Sequence, residues 1–189
     1  MKLKFIRFFI VYRLLFDIRG EFMKKFIKES DLIRLRLTQY EDLEFVIGAE
    51  NESENAQYIG NWSKTQHLES LSNSDILHLI IEDSKKGKPI GYIIMAGLDN
   101  PNHNIEFKRF VICDKGKGFG KETLRLIKEY SFNELRAHRL WLDVRYKNKR
   151  AQNVYKSQGF KEEGILRECI LYKGNYESLI VMSILENEQ

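Results

Sequence analysis

Only two prolines and two cysteines occur in the 189 residues. With so little proline and 12 glycines, no collagen-like, mucin-like or disordered tract is present. Cys113 and Cys169 stand far apart, without CxxC or Cys/His spacing. That excludes a disulfide framework and a zinc finger, and fits reduced thiols in a cytoplasmic protein. The four histidines, His67, His78, His103 and His138, show no ligand spacing, so no metal is expected. A strong charge excess is missing too. The net charge is +4, and residues 1–22 carry +3 of it, with Lys2, Lys4, Arg7, Arg13 and Arg19 against Asp17 and Glu21. A body left at +1 lacks the dense basic face of a nucleic-acid platform.

Long apolar runs are also lacking at the start of the chain. Residues 1–22 hold five of the 12 phenylalanines, but their longest uncharged run, Phe8 to Tyr12, falls far short of the ~20 residues of a membrane span. Arg13 and Asp17 break any signal-peptide core. A membrane-surface helix would have only weak periodicity behind it. The segment reads as an extension outside a domain of residues 23–189, without stable membrane association. Met23 makes a natural start, and Arg19-Gly20-Glu21 just upstream can be encoded by purine-rich codons resembling a ribosome-binding site. Native protein is therefore expected to begin at Met23.

What is present is a globular balance, 43% hydrophobic and 31% charged, at the length of one ordinary domain. Ile33, Leu35 and Leu37 alternate with arginines, the period of a strand. Leu43, Val46 and Ile47 follow helical spacing, and residues 51–75 read as loop and short helix. His78 to Glu82 is strand-like, and Ile90 to Leu98 has the near-continuous apolar run of a strand buried on both faces. Ile105 to Cys113 is a further strand. A glycine turn then opens a helix with Leu124 and Ile127 inward, and Leu135 follows them. Leu140, Leu142 and Val144 alternate, and Ala151, Val154 and Tyr155 mark a helix face. Ile165 to Tyr172 and Tyr176 to Leu185 form a hairpin about Lys173-Gly174-Asn175. The pattern predicts a single α/β domain with a mixed sheet and no internal repeat.

Lys115-Gly116-Lys117-Gly118-Phe119-Gly120-Lys121 follows a strand and opens a helix, where free backbone N–H groups and the helix dipole can hold phosphate. The lysines add charge. A Walker A loop is excluded because Gly120-Lys121 is followed by Glu122 and position 115 is not glycine. A dinucleotide fingerprint is excluded because the run is GxGxG rather than GxGxxG.

The loop resembles the Q/R-x-x-G-x-G/A pyrophosphate signature of the GNAT (Gcn5-related) N-acetyltransferases, with Lys115 in the Gln/Arg position. The resemblance covers roughly residues 31–185. Asn148-Lys149-Arg150-Ala151, Tyr155 and Gly159-Phe160 are similar to the family's N-x-x-A-x-x-x-Y-x-x-x-G-F segment. Glu163-Gly164 and Leu166-Arg167 continue as in the branch of ribosomal-protein and polyamine acetyltransferases.

This resemblance implies a central mixed, mostly antiparallel sheet splayed between its fourth and fifth strands, with flanking helices. It implies transfer of acetyl from acetyl-CoA to a primary amine by direct attack in a ternary complex. The glycine turn would cradle the pyrophosphate. Backbone N–H groups at about Phe110, Val111 and Ile112 would polarise the thioester carbonyl. Asn148 would hydrogen-bond the cofactor arm. Tyr155 would protonate the leaving thiolate, since a phenol of pKa ~10 stays protonated at neutral pH. Glu106 is the candidate base, placed by strand alternation on one face with Lys108, Phe110 and Ile112. Cys113 reads as a strand-end residue, because direct attack needs no covalent relay. A non-catalytic acyl-CoA-binding or sensor domain of the same fold is the alternative. The acceptor stays open among polyamine, peptide N-terminus, amino sugar and lysine. Its contacts are expected from about residues 48–75, where Glu50, Glu52, Glu54 and Glu69 could draw a cation, and from the final hairpin. A homodimer is left open.

Overall fold

The alternating runs assemble into an eight-stranded sheet in the computed structural model, which describes residues 26–189. The expectations for residues 1–22 and for the Met23 start lie outside the described residues. The strands are β1 (Phe26–Glu29), β2 (Ile33–Leu37), β3 (Ile76–Asp83), β4 (Pro89–Ala96), β5 (Asn104–Ile112), β6 (Arg139–Arg145), β7 (Lys161–Tyr172) and β8 (Asn175–Leu185). Their order across the sheet is β1-β2-β3-β4-β5-β6-β8-β7. Among the described pairings only β5–β6 is parallel. The crossover that parallel strands require is the helix α4 (Phe119–Asn133). The short edge strand β1 is an addition to the sequence reading, so the expected fourth and fifth strands are β5 and β6.

Each face of the sheet has its own apolar cluster. The larger one collects Ile33, Leu35, Leu79, Ile93, Ile105, Phe107, Leu140, Leu142 and Val144 from the strands, with Leu124 and Ile127 of α4. Tyr155 joins them from α5 (Lys149–Ser157). Leu124 and Ile127 lie at 0% exposure, worth roughly 1.5–3 kcal/mol each in burial. The smaller cluster, on the other face, packs Val46 and Ala49 of α1 (Leu43–Asn51) on Ile80, Tyr92, Ile94 and Val111. Two more helices lie along this part of the chain, α2 (Ser53–Ala56) and α3 (Lys64–Ser72). A box in which Ser63 Oγ accepts from the Gln66 amide and Gln66 Oε1 accepts from the Ser63 amide starts α3. Lys173 and Gly174 take φ of 48° and 79°, the left-handed pair of a two-residue hairpin turn joining β7 to β8.

Candidate active site

β5 and β6 pair through Asn104↔Arg139, Ile105↔Leu140 and Glu106↔Trp141, and then part. Beyond Glu106, β5 is held by β4 on one side and borders a gap on the other. The Cys113 amide donates to the Ile90 carbonyl at 2.8 Å, and Tyr92↔Val111 and Ile93↔Phe110 continue that register. Antiparallel alternation then turns the Val111 amide to β4 and presents those of Phe110 and Ile112 to the gap. Two of the three expected carbonyl donors therefore face the splay, and Val111 does not.

A bulge reorders the faces of β5. The β4–β5 register shifts between Ile94 and Ala96, which reverses the pleat. Phe110 and Ile112 pack against the larger cluster, whereas Glu106 and Lys108 line a cleft that also contains Trp62. The expectation that these four side chains share a face fails for this reason.

The glycine turn lies on the α4 side of the sheet. Gly116 and Gly118 have φ of 86° and 83°, a conformation that strains residues bearing a Cβ. Gly118 caps α4 without any side-chain hydrogen bond, so the first amides of the helix stay open to an anion. A Cβ on Gly116 would meet nothing within 4 Å, and one on Gly118 only Leu32 at 3.8 Å. Among the described residues nothing crowds the turn at these two glycines. Lys117 pairs with Asp114 at 2.7 Å and Lys115 with Glu54 at 2.8 Å. Lys121, exposed in the first turn, has no ion pair to a described residue. Asn148 is the N-cap of α5, its oxygen accepting from the Ala151 amide at 3.1 Å. Only its NH2 group remains to donate to a ligand.

Tyr155 projects from α5 with 8% exposure, and its ring lies 5.8 Å from that of Phe160. Burial, with the negative charge of Asp143 adding, raises the phenol pKa above its usual value. The phenol is protonated at neutral pH, and no hydrogen bond joins its hydroxyl to a described residue. Cys113 is half-buried, and burial pushes its thiol up to about 11, so it stays protonated and unreactive.

On the opposite face the cleft, about 420 Å³, is lined by Trp62, Asp75, Asn104, Glu106, Lys108 and Trp141, among others. Lys108 Nζ sits 3.2 Å from Glu106 Oε2. Asp75 is committed to the amides of Gly97 (3.1 Å) and Asp99 (2.9 Å).

Beneath this cleft runs a buried polar chain that sequence spacing did not reveal. Glu50, 1% exposed, accepts from Tyr92 Oη at 2.7 Å and from the Trp62 amide at 3.0 Å, and pairs with Arg109. The Arg109 guanidinium covers the Trp62 ring, 4.7 Å from its centroid. His67 Nε2 comes within 3.3 Å of Glu50 without the alignment of a full hydrogen bond. His67 Nδ1 meets His78 Nε2 at 3.2 Å, and His78 Nδ1 meets Thr38 Oγ1 at 2.8 Å. Burial raises the Glu50 pKa, but the close approach of His67, hydrogen bonds from Tyr92 and the Trp62 amide, and the charge of Arg109 bring it down to about 2. Glu50 is therefore an internal anchor that fixes Trp62, and it does not present a charge to an acceptor. Its spacing four residues after Val46 on the buried face of α1 was the available signal.

Among the described residues no helix is long and apolar enough to cross a membrane. Residues 24–161 match the family model described as an acetyltransferase (GNAT) domain. The chain is 28% identical over 167 residues to a spermidine N(1)-acetyltransferase of Vibrio cholerae, covering 82% of this chain and 94% of that protein. It is 25% identical over 165 residues to the Escherichia coli K12 spermidine N(1)-acetyltransferase, covering 82% and 87%. In fold it is similar to the crystal structure of the Vibrio cholerae spermidine N-acetyltransferase in complex with CoA and spermine. That match has a TM-score of 0.76 at 24% identity, over 84% of this chain and 98% of that one. Because that family match spans most of the chain, the chain belongs to the GNAT acetyltransferase family.

Proposed function

We propose that this acetyltransferase moves the acetyl group of acetyl-CoA to a primary amine of a polyamine. The observation that carries the reading is the two-sided splay. The glycine turn and α5 approach it from one face, and a cleft with two tryptophans and the Glu106 carboxylate approaches it from the other.

The residues present suit acetyl-CoA. The open amides at the start of α4 and the exposed Lys121 meet the pyrophosphate, and Lys115 exchanges Glu54 for a phosphate oxygen. Bound there, acetyl-CoA supplies an activated acetyl thioester. The amides of Phe110 and Ile112 face the gap and stabilise negative charge on the carbonyl oxygen without reorganising. The NH2 group of Asn148 holds the cofactor arm. Tyr155 gives its proton to the leaving sulfur.

A flexible polycation suits the other face. Trp62 and Trp141 wall the cleft, each with one ring face already taken by a guanidinium (Arg109 and Arg139), and Glu106 offers charge to an ammonium. Acetyl-CoA turnover with spermidine, spermine, a lysine peptide, a free peptide N-terminus and an amino sugar tests this. The polyamines are expected to give the highest kcat/KM, and a preference for the peptide or the sugar would refute the acceptor assignment.

A further inference from the structure

A candidate base, Glu106, carries a lysine on one of its oxygens, and the reaction still needs a group that removes a proton from the acceptor ammonium. We propose that Asp143, at the mouth of the splay on β6, is the group that accepts this proton. The inference rests on the acetyl-transfer reading above.

Its place follows from the strand register. Glu106↔Trp141 is the last rung between β5 and β6. Asp143 lies two residues further along β6, where β5 has already left. Strand alternation puts it on the same face as Trp141, which lines the acceptor cleft. Its backbone is fixed on the other side by pairing with Val181 of β8. The flanking Leu142 and Val144 point the opposite way and are buried in the larger cluster. Asp143 therefore stands at the edge of the gap, between the cleft and the face from which Tyr155 reaches it.

Its partners, or lack of them, separate it from the other carboxylates. No hydrogen bond or ion pair joins Asp143 to a described residue. The cations that face it are already engaged, Lys108 by Glu106 at 3.2 Å and Arg145 by Glu177 at 2.8 Å. The groups around it bear on its basicity. Partial desolvation by the surrounding protein raises its pKa, the like charge of Glu106 adds, and Lys108 and Arg145 oppose. The residue is open to solvent by area, so a proton taken there has a route out. The negative charge of Asp143 is also felt by the Tyr155 phenol, which places acid and base on the two sides of one reacting centre.

The protons balance. The ammonium R–NH3+ gives one proton to the Asp143 carboxylate, and the freed lone pair forms the C–N bond. As the C–S bond breaks, Tyr155 protonates the sulfur and is reprotonated from the nitrogen. The products are the acetylamide, the free thiol and one proton, released from Asp143 to solvent. A carboxylate with a raised pKa lies nearer to the ammonium, which favours general-base transfer.

Asp143→Asn removes the charge at almost constant shape. With the most active amine of the panel, kcat/KM for the amine at pH 7 should fall by about 100-fold or more. Acetyl-CoA affinity, measured by calorimetry, should stay within about twofold. The deficit should shrink as pH rises toward the amine pKa of about 10, where free amine no longer needs a base. Asp143→Glu keeps a carboxylate and should restore part of the rate, which covers the case of an unstable Asn variant. Glu106→Gln should act mainly on the KM of the amine. Folded Asp143→Asn with a kcat/KM within about twofold of wild type, or with a deficit that does not change between pH 7 and 10, overturns the assignment. A wild-type enzyme that acetylates no amine overturns the functional reading, and this inference with it.

Discussion

Lowering the pH should destabilise this protein earlier than ordinary carboxylates would, because of the buried histidine His78. Its pKa is held down to about 3, against an ordinary 6.5, by burial first and by neighbouring His67 next. Between these values the unfolded chain binds a proton that the folded protein refuses. The stabilisation is complete above pH 6.5 and is lost as pH falls through that window, at about 1.4 kcal/mol per unit for one proton. From pH 6.5 to 4.5 the loss from His78 alone is about 3 kcal/mol. Glu50 acts lower. Its pKa of about 2 against 4.5 gives stability that is full above pH 4.5 and disappears toward pH 2, about another 3 kcal/mol. Native proteins hold only about 5–15 kcal/mol, so the two groups together are expected to remove a large share of the stability between pH 6.5 and about 3. Urea denaturation at pH 7.5, 6.5, 5.5 and 4.5 reads the slope, with His78→Gln as the reference. A wild-type slope equal to that of the variant would refute the reasoning.

Four other substitutions separate structure from chemistry. Gly120 is helical, and an added Cβ would lie 3.9 Å from Ile112 and Phe110, so Gly120→Asp should fold and yet bind acetyl-CoA at least about tenfold more weakly. Gly118→Asp should lose the same affinity but also some stability, its φ being 83°. Calorimetric binding, with thermal unfolding beside it, distinguishes the two. Tyr155→Phe should keep its packing and lose at least about tenfold in kcat with acetyl-CoA binding little changed. Glu50→Gln leaves the Arg109 guanidinium buried and unpaired, so denaturation should show a loss of about 3 kcal/mol or more.

Much of this architecture is legible in residue order, because burial imposes its period directly. Ile33 and Leu35, and Leu140 and Leu142, alternate in the sequence and lie at or near zero exposure. The glycine turn is legible because Gly116 and Gly118 need left-handed backbone. What could not be read has a common cause, which is dependence on distant neighbours. The face of Glu106 turns on one extra residue in β5 opposite Ile94 and Ala96, and no local pattern marks it. Glu50, His67, His78 and Arg109 come from four elements and look like solvated charges or isolated histidines until the sheet stacks them. Asp143 is the polar residue of an ordinary alternation, and only the parting of β5 from β6 gives it a place beside the gap.

The central claim is amine acetylation at the splay, and incubation of the wild-type protein with acetyl-CoA and spermidine tests it most directly, with thiol release followed and the product weighed by mass spectrometry. The account predicts amine-dependent release of CoA, one acetyl group gained by the polyamine, and loss of both in Gly120→Asp. Folded wild-type protein that binds acetyl-CoA but releases no thiol with any polyamine would contradict it.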